Sequence, residues 1–287
     1  MIYVAMLNTL VRPVSPADHQ QLSNLIFFET RLHRHLDWRQ PLEWLGNPFY
    51  WALDNGSHIT AALACPPEAP NIFWIRLFVF SGQSHSENVW NILWQSAREE
   101  IARAGGEKVA AIAIQPWFQH ALAASGFENR QDIVMLEWRY QPWVRKEAQG
   151  LLIRRMTEAD LPAVEEIDST AFDRLWHNPL ATLRAAFTQA LFALVVEDER
   201  GIIGYQLTTG GGGRAHLARL AVRPAAQGRG VAHHLLSDLL ARLTNHGVGK
   251  LSVNTQSDNL SSLNLYQRLG FTRTGEQYPV YLYEIRG

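Results

Sequence analysis

One short stretch of the sequence combines the residue types that bind phosphate. It follows an apolar run, His216–Val222, and reads Gln-Gly-Arg-Gly-Val-Ala before a leucine-rich segment. Glycine and alanine leave the backbone N–H groups of a first helical turn open, and the helix dipole is positive there. An arginine adds a charge-assisted donor. The pattern predicts either an anion site at a helix N-terminus or a plain turn before a helix. Its residues are Gln227, Gly228, Arg229, Gly230, Val231 and Ala232.

Known nucleotide motifs do not account for this stretch. The Gly-Lys-Ser/Thr ending of a triphosphate loop is missing. The first glycine and the later acidic residue of a dinucleotide fingerprint are missing as well.

A second stretch lies about thirty residues further on. Asn259, Ser262 and Tyr266 recur at i, i+3 and i+7, which places them on one face of a helix. Gly270 then ends that helix. Tyr266 is either a half-buried core tyrosine or a proton donor.

The elements that position these stretches alternate between the spacing of apolar residues that is typical of helices and the spacing that is typical of strands. Periodicity and turn residues predict an α/β fold with a mixed sheet. Predicted helices are Thr157–Thr170, Pro179–Gln189, Gly230–His246 and Asn259–Leu269. Predicted strands are Leu152–Arg154, Ala190–Glu197, Ile202–Thr209, His216–Val222, Leu251–Thr255, Phe271–Gly275 and Val280–Ile285, with a loop at Gly210–Gly213.

The chain contains an internal repeat. Val11-Arg-Pro-Val-Ser-Pro-Ala-Asp resembles Ile153-Arg-Arg-Met-Thr-Glu-Ala-Asp, and both have the Ser/Thr and acidic residue of a capped helix start. Ile75-Arg-Leu-Phe-Val resembles Ala218-Arg-Leu-Ala-Val, and the same order of matches continues to two Gly-Phe pairs. One α/β unit is therefore predicted twice.

Together, the loop and the helix resemble the GNAT acyltransferases. The spacing Gln227-x-x-Gly230-x-Ala232 is similar to that family's pyrophosphate loop, and Asn259 to Phe271 is similar to its following helix. The resemblance covers Leu151–Gly287 well and Met1–Trp143 in outline. It implies two tandem GNAT folds, each a mixed sheet flanked by helices: a degenerate domain over 1–143, a linker over 144–150 and a catalytic domain over 151–287.

The resemblance also implies a working arrangement with acetyl-CoA as cosubstrate. Backbone N–H groups of Gly228–Ala232 would hold the pyrophosphate, Gln227 would fix the loop, and Asn259 and Ser262 would lie at the coenzyme. An amine, from a small molecule or a peptide N-terminus, would attack directly in a ternary complex. A backbone N–H would stabilise the oxyanion, and Tyr266 would protonate the departing thiolate. The strand edge offered to the pantetheine arm is Leu220, Ala221 and Val222.

Residues for the acceptor side are less determined. His216 is either the base that removes the proton of the amine or an exposed histidine at a strand end. A water chain is the other candidate for removing this proton. Arg219 predicts a structural ion pair, with Arg76 at the matching place in the first half, or a site for an acceptor carboxylate. Asp173, Trp176 and His177 lie either in an acceptor wall or in a plain helix connection.

The first half departs from the pattern. At an offset of 143, Glu87 falls where Gly230 stands, and Leu122 takes the place of Tyr266. A carboxylate repels a pyrophosphate, so the first half is predicted to have lost its coenzyme site.

Bulk properties exclude several classes of protein. The 287 residues carry a net charge of −1 without a long basic run, so no nucleic-acid partner is predicted. Apolar runs are too short to cross a bilayer, and no signal peptide is expected, which together favour the cytoplasm. The single cysteine, Cys65, is predicted to be structural, and no metal site is expected. A homodimer stays open, and the rival functions are a non-catalytic acetyl-CoA-binding regulator and a purely structural module.

Overall fold

The structure is a computed structural model that describes residues 10–35, 38–82, 86–141 and 150–285. It forms two compact units: Met1–Arg130 with Pro279–Gly287, and Gln131–Tyr278. These units differ from the predicted halves, because residues 131–141 belong to the second unit and 279–285 to the first. The predicted linker 144–150 lies outside the described residues except for Gly150.

The second unit contains four helices around a mixed sheet. Its helices are α4 (Leu161–Ala171), α5 (Leu180–Gln189), α6 (Val231–Asn245) and α7 (Leu260–Arg268). Its strands are β9 (Glu128–Arg139, from Gln131 onward), β10 (Leu152–Arg155), β11 (Phe192–Asp198), β12 (Gly201–Gly211), β13 (Arg214–Val222), β14 (Lys250–Gln256) and the first part of β15 (Thr272–Glu284).

The strands of this sheet run in the order β10-β11-β12-β13-β14-β9-β15. The pair β13–β14 is parallel, whereas β10–β11, β11–β12, β12–β13 and β14–β9 are antiparallel. The leucines of α6 at helical spacing pack on the sheet and are buried as the spacing predicted. They are Leu235, Leu236, Leu239, Leu240 and Leu243.

Two predicted elements were wrong in detail. Gly210 and Gly211 belong to β12, and the turn consists of Gly212 and Gly213, both with positive φ. The two predicted closing strands form one continuous strand, β15. Its first part lies beside β9, and its last part, from Val280 onward, pairs with β8 (Lys108–Ile112).

The first unit repeats this plan with shorter strands. Its five-stranded sheet has the order β1-β3-β4-β7-β2, and a second group of strands joins β5, β6, β8 and the end of β15. The helices are α1 (His19–Phe28), α2 (Ser86–Arg103) and α3 (Pro116–Ala124). The strands are β1 (Leu10–Pro13), β2 (Leu32–Arg34), β3 (Tyr50–Asp54), β4 (Ile59–Ala64), β5 (Pro67–Ala69), β6 (Ile72–Trp74), β7 (Leu77–Phe80) and β8 (Lys108–Ile112).

The two helix starts confirm the internal repeat. Asp18 accepts from the backbone N–H of Ser15, and Asp160 accepts from that of Thr157, so both form capping boxes. Each carboxylate also binds an arginine of the preceding strand: Arg12 Nη2 lies 2.8 Å from Asp18, and Arg154 Nη2 lies 2.8 Å from Asp160.

Cys65 is fully buried in an apolar cluster of the first unit. Burial raises the pKa of its thiol, so the thiolate needed for nucleophilic chemistry is disfavoured. Within the described ranges, no helix is long and apolar enough to cross a membrane.

Candidate active site

The sheet of the second unit opens between its two parallel strands. β13 and β14 pair only from Arg214 to Leu217, and β14 then continues beside β9. In the described part of the chain, no strand pairs with the second edge of β13 after Leu217. A stretch of backbone, Arg219–Val222, therefore has one edge against β12 and one edge open.

Strand alternation shows which backbone groups face the opening. Arg223 donates its N–H to Ile203 O of β12, at 2.8 Å. Because successive residues of a strand point to opposite edges, the N–H and C=O groups of Leu220 and Val222 face the open edge. Gln227 Nε2 donates to Val222 O at 3.0 Å, so the side chain predicted to fix the loop does bind this edge.

The loop after β13 leads into the N-terminus of α6. Gly228 and Gly230 have φ of +75° and +77°, values that residues with a Cβ rarely adopt. Gly230 is the N-cap of α6, and Val231 is buried in the core, which anchors the first turn. Arg229 Nη1 lies 3.3 Å from Asp198, so the predicted phosphate donor has a carboxylate partner in this structure.

The helix predicted to carry Asn259, Ser262 and Tyr266 on one face is α7, which follows β14 along the chain. Asn259 is the N-cap of α7, and its Oδ1 accepts from Ser262 N–H at 3.1 Å. Tyr266 is 5% exposed and packs on Phe271, with ring centroids 5.4 Å apart. Burial raises the pKa of the Tyr266 phenol, so it is protonated at neutral pH, as a proton donor must be.

Comparisons with known proteins agree with this geometry. Residues 156–271 match the sequence model of the family described as "Acetyltransferase (GNAT) family". These residues belong to the GNAT acetyltransferase family. A mycothiol acetyltransferase of Amycolatopsis mediterranei is 28% identical over 230 residues, which cover 70% of this chain and 73% of that protein. The chain is therefore an acyltransferase.

Solved structures show the fold of the whole chain. A tandem GNAT protein from the clavulanic acid biosynthesis pathway superposes with a TM-score of 0.67 and 14% identity, over 98% of this chain and 99% of that one. A GCN5-related N-acetyltransferase from Sphaerobacter thermophilus superposes with a TM-score of 0.65 and 18% identity, over 97% of this chain and 96% of that one. Both units thus take part in a tandem GNAT fold.

Arg219 of this GNAT unit forms a buried ion pair. Its Nε and Nη2 each lie 2.7 Å from the carboxylate of Asp168, which is fully buried and also accepts from Tyr205 Oη. Of the two interpretations, the structure shows the ion pair. Asp168 was missed from the sequence, although it lies four residues after Val164 on the apolar face of α4, where a buried carboxylate needs a partner.

The segment between α4 and α5 lies beside this ion pair. Arg219 Nη2 donates to Trp176 O at 2.6 Å, and its guanidinium lies 3.5 Å from the ring centroid of Phe172. Asp173 Oδ1 accepts from Leu175 N–H at 2.9 Å and thereby holds a turn. Among the described residues, the buried Nε2 of His177 has no hydrogen-bond partner. The structure brings Trp176 to Arg219, whereas a role of Asp173, Trp176 or His177 at an acceptor stays a prediction.

His216 is half-buried, so the exposed interpretation was wrong. Its Nδ1 lies 2.9 Å from Ser252 Oγ of β14, and burial lowers the pKa of the imidazole. A β-bulge at Ala218 shifts the strand alternation, because Leu207 pairs with Arg219 but Thr208 pairs with Leu217. His216 therefore does not share a face with Leu220 and Val222, although an unbroken alternation along the strand would place all three on one face.

Strand register corrects the match between the two copies. Ser81 donates its N–H to Thr60 O at 2.8 Å, as Arg223 does to Ile203 O, and this sets an offset of 142 for the strand. The residue matching Arg219 is therefore Leu77, and Arg76 instead pairs with Glu68 of β5. The sequence alignment followed the shared Arg-Leu letters and was therefore one residue out of register.

The loop and helix of the first unit differ from the active pattern. Buried Val89 matches buried Val231, so Asn88 stands at the position of Gly230 and Glu87 at that of Arg229. Glu87 was therefore assigned one position too far along. Leu122 does match Tyr266, because Phe127 donates to Leu122 O as Phe271 donates to Tyr266 O.

The open edge of β13 has a paired counterpart in the first unit. At an offset of 142, Phe78 and Phe80 of β7 match Leu220 and Val222. β2 pairs with β7 along this edge: His33 stands opposite Phe78, and Phe80 donates its N–H to Arg31 O at 3.2 Å. The first unit therefore lacks the free strand edge that the second unit has.

Burial of β2 predicts a loss of stability in acid. His33 is fully buried and stacks on Phe118, and burial lowers the pKa of its imidazole to about 4. Below pH 6.5 the unfolded chain binds a proton at His33 that the folded chain does not, so stability falls as the pH drops from 6.5 towards 4. Between pH 7 and pH 5 this group should remove about 2 kcal/mol.

Unfolding in urea at pH 7 and pH 5 measures this loss. We expect His33→Leu, which replaces the imidazole with an apolar side chain that does not titrate, to reduce the difference between the two pH values. An unchanged difference would mean that other groups cause the acid sensitivity.

Proposed function

We propose that the second unit binds acetyl-CoA and transfers the acetyl group to an amine in a ternary complex. The observation that carries this proposal is the continuity of an open strand edge, Arg219–Val222, with the N-terminus of α6. A pantetheine arm has amide groups that pair with a strand edge, and a pyrophosphate suits a helix N-terminus. Coenzyme A contains both groups in one molecule.

The chain direction fixes the orientation of the coenzyme. The pyrophosphate lies at the N–H groups of Gly228–Ala232, and the pantetheine arm runs back along Val222 and Leu220. Its thioester then lies beside Leu220, at the end of the open edge that is nearer to the point where β13 and β14 separate. Asn259 and Ser262 are proposed to lie against the coenzyme from the start of α7.

The chemistry that fits this placement is direct acyl transfer. The amine nitrogen attacks the thioester carbonyl carbon, and a backbone N–H of Leu220 or Val222 stabilises the negative oxygen. The C–S bond then breaks, and Tyr266 gives its proton to the leaving sulfur. The proton of the amine passes to a base, for which the neutral imidazole of His216 and a water chain are both proposed.

The proposed acceptor is a small-molecule amine or a peptide N-terminus. Trp176, His177 and Asp173 lie in the segment that Arg219 binds beside the thioester end of the open edge. An aromatic ring and a half-buried imidazole give this segment an apolar surface with a few polar groups, as is usual at small-ligand sites. A screen of amines and short peptides for release of free coenzyme A identifies the acceptor.

One acetyl-CoA should bind per chain. Within the residues that the structure describes, the second unit alone combines a free strand edge with a loop such as that of Gly228 and Gly230, since β2 covers the matching edge of the first unit. Calorimetric titration with acetyl-CoA measures the stoichiometry. Two equivalents per chain would contradict the assignment of the site to one unit.

A further inference from the structure

The same segment of the repeat adopts two different conformations in the two units. Between the first helix and the strand beyond this segment, the first copy has 21 residues, 29–49, and the second copy has 20, 172–191. Arg31–His35 therefore occupies the part of the repeat that residues 173–178 occupy in the second unit, to within one residue. In the first unit this segment contains β2, which pairs with the edge of β7. In the second unit it forms a turn that leaves the edge of β13 unpaired within the described residues.

Backbone pairing fixes the segment in the first unit. His35 donates its N–H to Arg76 O at 3.0 Å, and Phe80 donates its N–H to Arg31 O at 3.2 Å. The groups used are those of Phe80 and its neighbours, which match the groups that Leu220 and Val222 present to the opening. This segment therefore has the length and reach to cover the edge.

Side chains fix the segment in the second unit. Asp168 accepts from Asn178 N–H at 2.7 Å and binds Arg219, which in turn donates to Trp176 O. Asp173 accepts from Leu175 N–H and from Trp176 N–H, at 2.9 and 3.3 Å. We call Asp168, Arg219 and Asp173 the latch.

The first unit has none of the three latch residues. At the offset of 142 that holds for the helix and for β7, Asp168 is matched by Ile26 and Arg219 by Leu77, and the segment Arg31–His35 contains no aspartate to match Asp173. Ile26 packs against the apolar cluster that contains Leu77, so an apolar contact replaces the ion pair. The unit without the latch is the one whose edge is covered.

We propose that the latch holds the segment 172–178 away from the open edge of β13, Arg219–Val222, and so leaves this edge free to bind the coenzyme. Without the latch, this segment extends and pairs with Leu220 and Val222, as β2 does in the first unit. The proposal rests on the proposed function for the identity of the ligand, but the pairing itself is independent of it. Asp168, Arg219 and Asp173 are positioning residues in this role.

The test introduces the residues of the first unit into the second. The double variant Asp168→Ile/Arg219→Leu replaces a buried ion pair with two apolar side chains. Proteins often keep their fold and stability after such a replacement. Asp173→Ala, at an exposed position, removes only the turn contacts. Glu166→Gln is the matched control, because it removes the exposed ion pair to Arg223 between the same helix and the end of the same strand.

Hydrogen exchange without ligand and calorimetry with acetyl-CoA are the two measurements. In the double variant we expect slower exchange of the Leu220 and Val222 amides and at least tenfold weaker acetyl-CoA binding. Asp173→Ala should change both in the same direction by less, and Glu166→Gln should change neither. A purely structural role would leave these amides unchanged or speed up their exchange, so either result in the folded variants would overturn the proposal.

The two proposals fail in different ways. If the wild-type chain does not bind acetyl-CoA, the proposed function is wrong, while the exchange measurement still tests the latch. If the wild-type chain binds acetyl-CoA and the double variant binds it equally well, the latch is wrong and the proposed function stands.

Discussion

Gly230→Glu should weaken acetyl-CoA binding by ~100-fold or more, since placing like charges together at a binding site costs several kcal/mol. Gly230 has φ of +77° and caps α6. Its N–H and those of the first turn of α6 therefore face the proposed pyrophosphate. An added Cβ would meet only the ring of His234, at 3.8 Å from Cδ2 and 3.9 Å from Nε2, so the new carboxylate has room to lie at this helix end. Titration calorimetry with acetyl-CoA measures the loss.

Gly247→Glu is the matched control for this substitution. Gly247 follows the other end of α6, also has positive φ, and has no atom within 4 Å of an added Cβ. Both variants introduce the same side chain and the same backbone strain, but only Gly230→Glu places a charge at the proposed pyrophosphate. Equal binding by the two variants would contradict the assignment of the loop.

The converse substitution in the first unit should have no effect on binding. Asn88 stands at the position of Gly230, but Asn88→Gly leaves β2 paired with β7. A glycine alone therefore creates no second site, and the stoichiometry should stay at one.

Tyr266→Phe should lower kcat by roughly 10²–10⁴, the usual contribution of a positioned general acid. The phenyl ring keeps the packing against Phe271, and the phenol is protonated across the neutral range, so the loss isolates the proton transfer. Acetyl-CoA affinity should stay within about threefold, because only a transition-state interaction is removed. Steady-state release of coenzyme A with the best amine of the screen, together with calorimetry, separates the two effects.

Tyr283→Phe provides the comparison for the loss of a hydroxyl. Tyr283 packs on Trp94 and Phe127 in the first unit and has no proposed role in the reaction. Its removal should leave turnover unchanged. If Tyr266→Phe also leaves turnover unchanged in a folded protein, the proton reaches the thiolate from water.

Local signals in the sequence predicted most of the elements that surround the candidate site. The glycines at 228 and 230, the helix start at Thr157 and the leucines of α6 each follow from a local rule of turn, cap or periodicity. The family's loop and helix motifs fit these same elements. Such features depend on neighbours within one or two turns. α6 begins and ends within one residue of its predicted bounds, whereas Thr157 caps a short 3-10 turn, Glu158–Asp160, and α4 itself begins only at Leu161.

Features that depend on distant partners were missed. No local pattern indicates that β9 pairs with β14, or that β15 continues to β8, because pairing partners are set by the sheet. The alignment of the two copies was one residue out of register at this strand, which misplaced Arg76 and Glu87 as matches. Asp168 and β2 became visible only through the contacts that they make.

Amine-dependent release of coenzyme A from acetyl-CoA is the most direct test of the proposed acetyl transfer. The wild-type chain should release thiol in proportion to added amine, Gly230→Glu should release almost none, and Tyr266→Phe should bind acetyl-CoA but turn over slowly. Binding of one acetyl-CoA per chain without thiol release for any amine or peptide would contradict transfer, and would instead identify an acetyl-CoA-binding regulator.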